Sequence, residues 1–149
     1  MKGRAELTVF CDGGARGNPG PGAAGCVIKD VAENTRLLCG KYLGNVTNNQ
    51  AEYAAVQLAL QTIRESYKNR EKINFFLDSK LVVNQLSGLY KVKNPDLRKI
   101  VFEIRQLESA FKQVYYQHIG REKNAEADSL VNKAIDEKRD FEIEVKRDN

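Results

Sequence analysis

The chain has 149 residues, 42% of them hydrophobic and 30% charged, with a formal net charge of +4. That length suits a single domain with its own core, and the mix excludes disordered and fibrous classes. No run of about 18 apolar residues is present, and the opening MKGRAELTVF lacks the apolar stretch of a secretory signal.

The expectation is a cytoplasmic, monomeric protein that does not engage a membrane. The mild basic excess is compatible with a nucleic-acid partner without requiring one. The cysteines Cys11, Cys26 and Cys39 are odd in number and form no C-x-x-C pair. They predict neither a disulfide framework nor a zinc site and read as small buried hydrophobes.

In chain order, Leu7 to Cys11 predicts a central strand, apolar on both faces. Gly13 to Gly22, GGARGNPGPG, predicts a tight irregular loop. Strands over Ala23 to Lys29 and Thr35 to Leu43 complete an antiparallel meander. Asn48 or Asn49 can cap a helix running to about Tyr67, with Ala55, Leu58, Ala59 and Ile63 on its inner face. Ile73 to Leu77 is then a short apolar strand, parallel to the first because a helix joins them. Ser79 can cap a short helix ending near Gly88. Asn94 and Pro95 open another, striped by Leu97, Ile100, Val101, Ile104, Leu107 and Phe111. Val114 to His118 predicts a last core strand. Asn124 starts a helix with Leu130, Val131, Ala134 and Ile135 inward. The tail alternates Phe141, Ile143 and Val145 with charged residues, which fits an edge strand or a packed extension equally.

The order βββαβααβα predicts an α/β fold: a five-stranded mixed sheet, first three strands antiparallel and then parallel, flanked by helices. One domain spans residues 1–149, with a core of about 6–138 and a tail of 139–149.

Four acidic residues stand in separate turn-like contexts: Asp12 in FCDGG, Glu52 in TNNQAEY, Asp78 in FFLDSK and Asp128 in NAEADSL. Asp12 and Asp78 follow neighbouring strands at the edge where open α/β sheets place their sites. Glu52 and Asp128 fall early in helices, where a carboxylate suits the helix dipole. Any one of them alone would read as a turn former or cap. Together they form a constellation whose mutual repulsion calls for divalent cations, and oxygen-only ligands favour Mg²⁺ or Mn²⁺. Two such ions about 3.5–4 Å apart can clamp a phosphodiester. The glycine-rich loop lacks the G-K-[ST] ending of a phosphate-binding P-loop and precedes a strand, so it is no dinucleotide fingerprint either.

The segments DGGARGNPGPG, TNNQAEY, LDSK and HIGREKNAEAD, in this order, resemble the type 1 ribonuclease H family over roughly Glu6 to Lys138. The resemblance implies a ribonuclease H-like fold and Mg²⁺-dependent hydrolysis of the RNA strand of RNA–DNA hybrids, leaving 5′-phosphate and 3′-hydroxyl ends. It implies that Asp12, Glu52, Asp78 and Asp128 bind two metal ions. His118, the only histidine, matches the family's mobile catalytic histidine and would shuttle a proton. The amides of Gly13 and Gly14, with Asn18, match the readers of the 2′-hydroxyl. Thr47 and Asn94 match a DNA-phosphate pocket, with Asn48 beside them.

Three departures stand out. Only LYKVK separates Gly88 from Asn94, where many members carry a long basic handle; Lys91, Lys93, Arg98 and Lys99 are the residues that could substitute. Lys80 stands where a glutamine often touches the sugar, which bears on the choice between hybrid and double-stranded RNA. Asn45 replaces an arginine found in some members. Competing readings are a non-cleaving hybrid or double-stranded RNA binding module, a ribonuclease domain from a reverse transcriptase, and a structure-specific DNA nuclease. The intact carboxylates and His118 oppose the first, the start at Met1 just before the first strand opposes the second, and the DGG and TNNQAEY contexts oppose the third.

Overall fold

The structure is a computed structural model that describes residues 6–67 and 71–146. The elements are β1 (Glu6–Ala15), β2 (Gly20–Asp30), β3 (Thr35–Val46), α1 (Asn48–Ser66), β4 (Lys72–Leu77), α2 (Lys80–Leu86), α3 (Pro95–Glu108), β5 (Gln113–His118), a 3-10 turn (Arg121–Lys123), α4 (Ala125–Glu137) and β6 (Phe141–Lys146).

The sheet has six strands in the order β5-β4-β1-β2-β3-β6. The sequence predicts five; the sixth is the tail, whose alternation fits a strand or a packed extension equally. Phe141–Lys146 pairs antiparallel with β3, Phe141 opposite Gly40 and Lys146 opposite Thr35. Gly40 leaves the space that the Phe141 ring fills, since a β-carbon there would come within 2.4 Å of it. Residues 147–149 of the tail lie outside the described residues. The meander and the parallel β1–β4 pair form as expected.

β1 also corrects the predicted loop. Its pairing continues through Gly13 and Gly14 to Ala15, opposite Gly22, so only residues 16–19 turn. Arg16 closes that turn, its amide donating to the Pro21 carbonyl at 2.8 Å. β5 is an edge strand rather than a core one, alternating half-buried Val114 and Tyr116 with exposed neighbours.

Leu7, Val9 and Cys11 of β1 join Tyr53, Val56, Leu60 and Ile63 of α1, Phe75 of β4 and Ile104 of α3 in one buried cluster. Each large apolar side chain so buried contributes about 1.5–3 kcal/mol. α4 packs elsewhere: Val131, Ala134 and Ile135 cover Ala23 of β2. Gly25 permits this approach, since a β-carbon there would meet the Ala127 carbonyl oxygen at 2.9 Å.

Candidate active site

The parallel pairing of β1 and β4 ends at Cys11 opposite Leu77. Asp12 and Asp78 are therefore the next residues on adjacent strands. Asp12 also faces Gly25 across the β1–β2 ladder, and Gly25 points at α4. α1 is capped by Thr47, not by Asn48 or Asn49: the Thr47 hydroxyl accepts from the Gln50 amide, and the Gln50 side chain accepts from the Thr47 amide. Asn48 is drawn off, its Oδ1 accepting from the Ala15 amide at 2.9 Å. Glu52 thus lies just past the first turn of α1, which holds no acidic residue. Asp128 is in the first turn of α4.

Asp12, Glu52, Asp78 and Asp128 line one pocket of about 490 Å³, together with Gly13, Gly14, Arg16, Asn48 and Arg121. Among the described residues no three His, Cys, Asp or Glu side chains are gathered as a ready-made ion-holding cluster.

Their electrostatics show that they feel one another. The Asp12 carboxyl is pushed up to about 8, first by burial, then by the Asp78 charge and by a hydrogen bond shared with Asp128. The Gly13 amide opposes this only partly. Glu52 is pushed up to about 7 by burial and by Asp78, against a hydrogen bond from Ser79 and the Arg121 charge. Such mutual suppression of ionisation is what a bound cation relieves.

Of the residues expected to touch substrate, Gly13, Gly14 and Asn48 line the pocket. Asn18 accepts from the Asn48 amide at 3.0 Å, which holds the 16–19 turn against the start of α1. Thr47 and Asn94 each spend an oxygen on capping; Asn94 Oδ1 accepts from the Asp96 and Leu97 amides. Lys80 is exposed at the start of α2, beside Ser79, whose hydroxyl accepts from the Val82 amide as expected. His118 ends β5 opposite Leu77, exposed and outside the pocket walls. Sequence reasoning missed Arg121, which supplies the cationic side chain near Glu52, and saw Asn124 only as a helix start. The spacing of GREKN after the last strand was the available signal.

A family model described as reverse transcriptase-like matches residues 10–134. The LC11 ribonuclease H1, solved in complex with an RNA/DNA hybrid, is 40% identical, with a TM-score of 0.81 over 89% of this chain and 98% of its own. The chain belongs to the type 1 ribonuclease H family. The ribonuclease HI of Halobacterium salinarum is 37% identical over 89% of this chain and 65% of that protein. A bifunctional protein of Mycobacterium tuberculosis is 38% identical over 88% of this chain. The chain spans 36% of the length of that mycobacterial relative. Within this type 1 ribonuclease H chain no helix stands between α2 and α3. Ser87 to Asn94 connects them, turning at Gly88 with a φ of +82°.

Proposed function

We propose that this protein is an endoribonuclease that hydrolyses the RNA strand of RNA–DNA hybrids, leaving 5′-phosphate and 3′-hydroxyl ends. The observation that carries the reading is the pocket shared by Asp12, Glu52, Asp78 and Asp128. Its donors are all carboxylate oxygens, and two of them, Asp12 and Glu52, are held back from ionising first by burial and then by the Asp78 charge. That donor set fits two Mg²⁺ ions, with Mn²⁺ as a substitute. When bound, such ions activate water and stabilise the leaving oxygen of a phosphodiester.

The chain's own residues supply the rest. Gly13, Gly14 and Asn48 line the pocket, and Asn18 is hydrogen-bonded to the Asn48 amide beside it; these residues read the RNA sugar. Thr47, Lys80 and Asn94 hold phosphates alongside, with Arg121 adding positive charge at the wall. His118, on the free edge of the sheet, is solvent-accessible and moves a proton at the leaving oxygen or during product release. The protein works as a monomer in the cytoplasm, without the basic handle of longer members.

Cleavage of an end-labelled RNA–DNA hybrid with Mg²⁺ tests this, beside the same RNA alone and in an RNA duplex. Metal-dependent cutting of the hybrid, abolished by EDTA and by Asp78→Asn, is expected. Hybrid binding without cutting, in either Mg²⁺ or Mn²⁺, would replace the nuclease by a binding module.

A further inference from the structure

Asn124 is only 1% exposed and sits beside the Asp78 carboxylate. Its Nδ2 donates to the Cys11 carbonyl oxygen at 2.8 Å and to Asp78 Oδ2 at 3.2 Å. Its backbone carbonyl accepts from the Asp128 amide at 3.1 Å. One residue therefore ties together the strand end just before Asp12, the carboxylate of Asp78 and the helix start that carries Asp128.

The other end of the side chain is left over. Asn124 Oδ1 is buried and has no hydrogen-bond partner among the described residues. Turning the amide over would not repair this, because both groups beside Nδ2 are acceptors and would then face an oxygen. Nor does the side chain cap α4, since no amide of that helix reaches it. A buried acceptor without a donor works against folding. A side chain placed here for stability alone would be apolar or would cap the helix.

We infer that Asn124 is a positioning residue of the cation site: its Nδ2 sets the orientation of the Asp78 carboxylate and its spacing from Asp12 and Asp128. This rests on the metal-dependent reading of the pocket and deepens it. Groups that orient ligating side chains in this way typically contribute about 10–100-fold to metal affinity.

The test is calorimetric titration of Mg²⁺, and separately Mn²⁺, into substrate-free protein. The variants are Asn124→Ala, Asn124→Ser and Asp78→Asn, with melting curves in EDTA alongside. Serine retains a small polar side chain at the start of α4, so it serves if alanine fails to fold. The expected result is cation affinity at least about 10-fold weaker in both Asn124 variants, with melting in EDTA within a few degrees of the parent. Unchanged affinity in folded Asn124→Ala and Asn124→Ser, with Asp78→Asn losing the ion, would overturn the positioning role and leave the nuclease reading standing. A parent that binds no cation would overturn both.

Discussion

Gly13 lies directly against the backbone of Glu52: a β-carbon built on Gly13 would stand 2.5 Å from the Glu52 amide nitrogen and 2.1 Å from the Ala51 carbonyl oxygen. Backbone atoms cannot give way as a flexible side chain can. Gly13→Ala must push α1 off β1 and carry Glu52 away from Asp12. Overpacking of this kind costs about 1–3 kcal/mol, and a displacement near 1 Å costs about 10²-fold in rate. Gly14→Ala is the control, because its β-carbon would meet only Val131 Cγ1 at 4.0 Å. Thermal melts of both variants should show the loss of stability at Gly13 alone, and cleavage should fall in Gly13→Ala.

The acid–base balance of the pocket predicts how stability varies with pH. Burial, aided by the Asp78 charge, pushes the Asp12 carboxyl up to about 8 and the Glu52 carboxyl up to about 7 in the folded chain. The folded state therefore holds more protons than the unfolded one between about pH 4 and pH 8, so stability falls as pH rises through that window. Melting in EDTA across this range should show the decline. Asp12→Asn should flatten it, and Mg²⁺ should reverse it with release of protons.

Arg121 tests whether the pocket's positive charge bears on the ionisation of Glu52. Against burial and Asp78, the Ser79 hydrogen bond holds the Glu52 carboxyl down most, and the Arg121 guanidinium adds a smaller pull in the same direction. Arg121→Ala should raise that carboxyl further and move the acid limb of the pH–rate profile to higher pH. KM for the hybrid should rise as well, because a charge at the pocket wall is lost. An unmoved acid limb would remove Arg121 from any role in the ionisation of Glu52.

His118 stands exposed at the end of an edge strand, so its replacement disturbs no packing. His118→Ala should slow turnover by up to about 10²–10⁴-fold, the range of general acid–base groups, and leave hybrid affinity unchanged. Single-turnover and steady-state rates at saturating hybrid separate proton transfer from product release.

On the proposed reading, the short connection from Ser87 to Asn94 between α2 and α3 would leave hybrid affinity to phosphate contacts spread over short loops. Affinity should then fall steeply between about 50 and 200 mM salt, log Kd tracking log salt linearly. Binding measured with inactive Asp78→Asn gives the slope. A flat response would argue for recognition by stacking or hydrogen bonds instead.

The sequence shows the four carboxylates plainly because each sits at a strand end or early in a helix, positions with local signatures. Ser79 and Asn94 are legible for the same reason: their caps involve amides two or three residues away. What is hidden depends on distant neighbours. Gly13 and Gly14 read as loop, yet β2 supplies strand partners for them from Ala23 and Ala24. Asn48 reads as a cap, but the Ala15 amide 33 positions away takes its side chain. The tail becomes a strand only because β3 offers an edge and Gly40 makes room for Phe141. The part played by Asn124 spans 113 positions to Cys11, and no local pattern records it.

The register of the sheet has a consequence for how the chain can be joined to others. Glu6 begins beside Lys72, and Lys146 ends beside Thr35, which itself pairs with Asp30. Both ends of the described chain thus emerge along one rim. Asp12 lies five residues further along β1 from Leu7, roughly 17 Å away at strand rise. Additional sequence attached before Glu6 or after Lys146 would start from the rim remote from the carboxylates. The strand register thus sets the carboxylate cleft and the two described chain ends at opposite edges of the sheet.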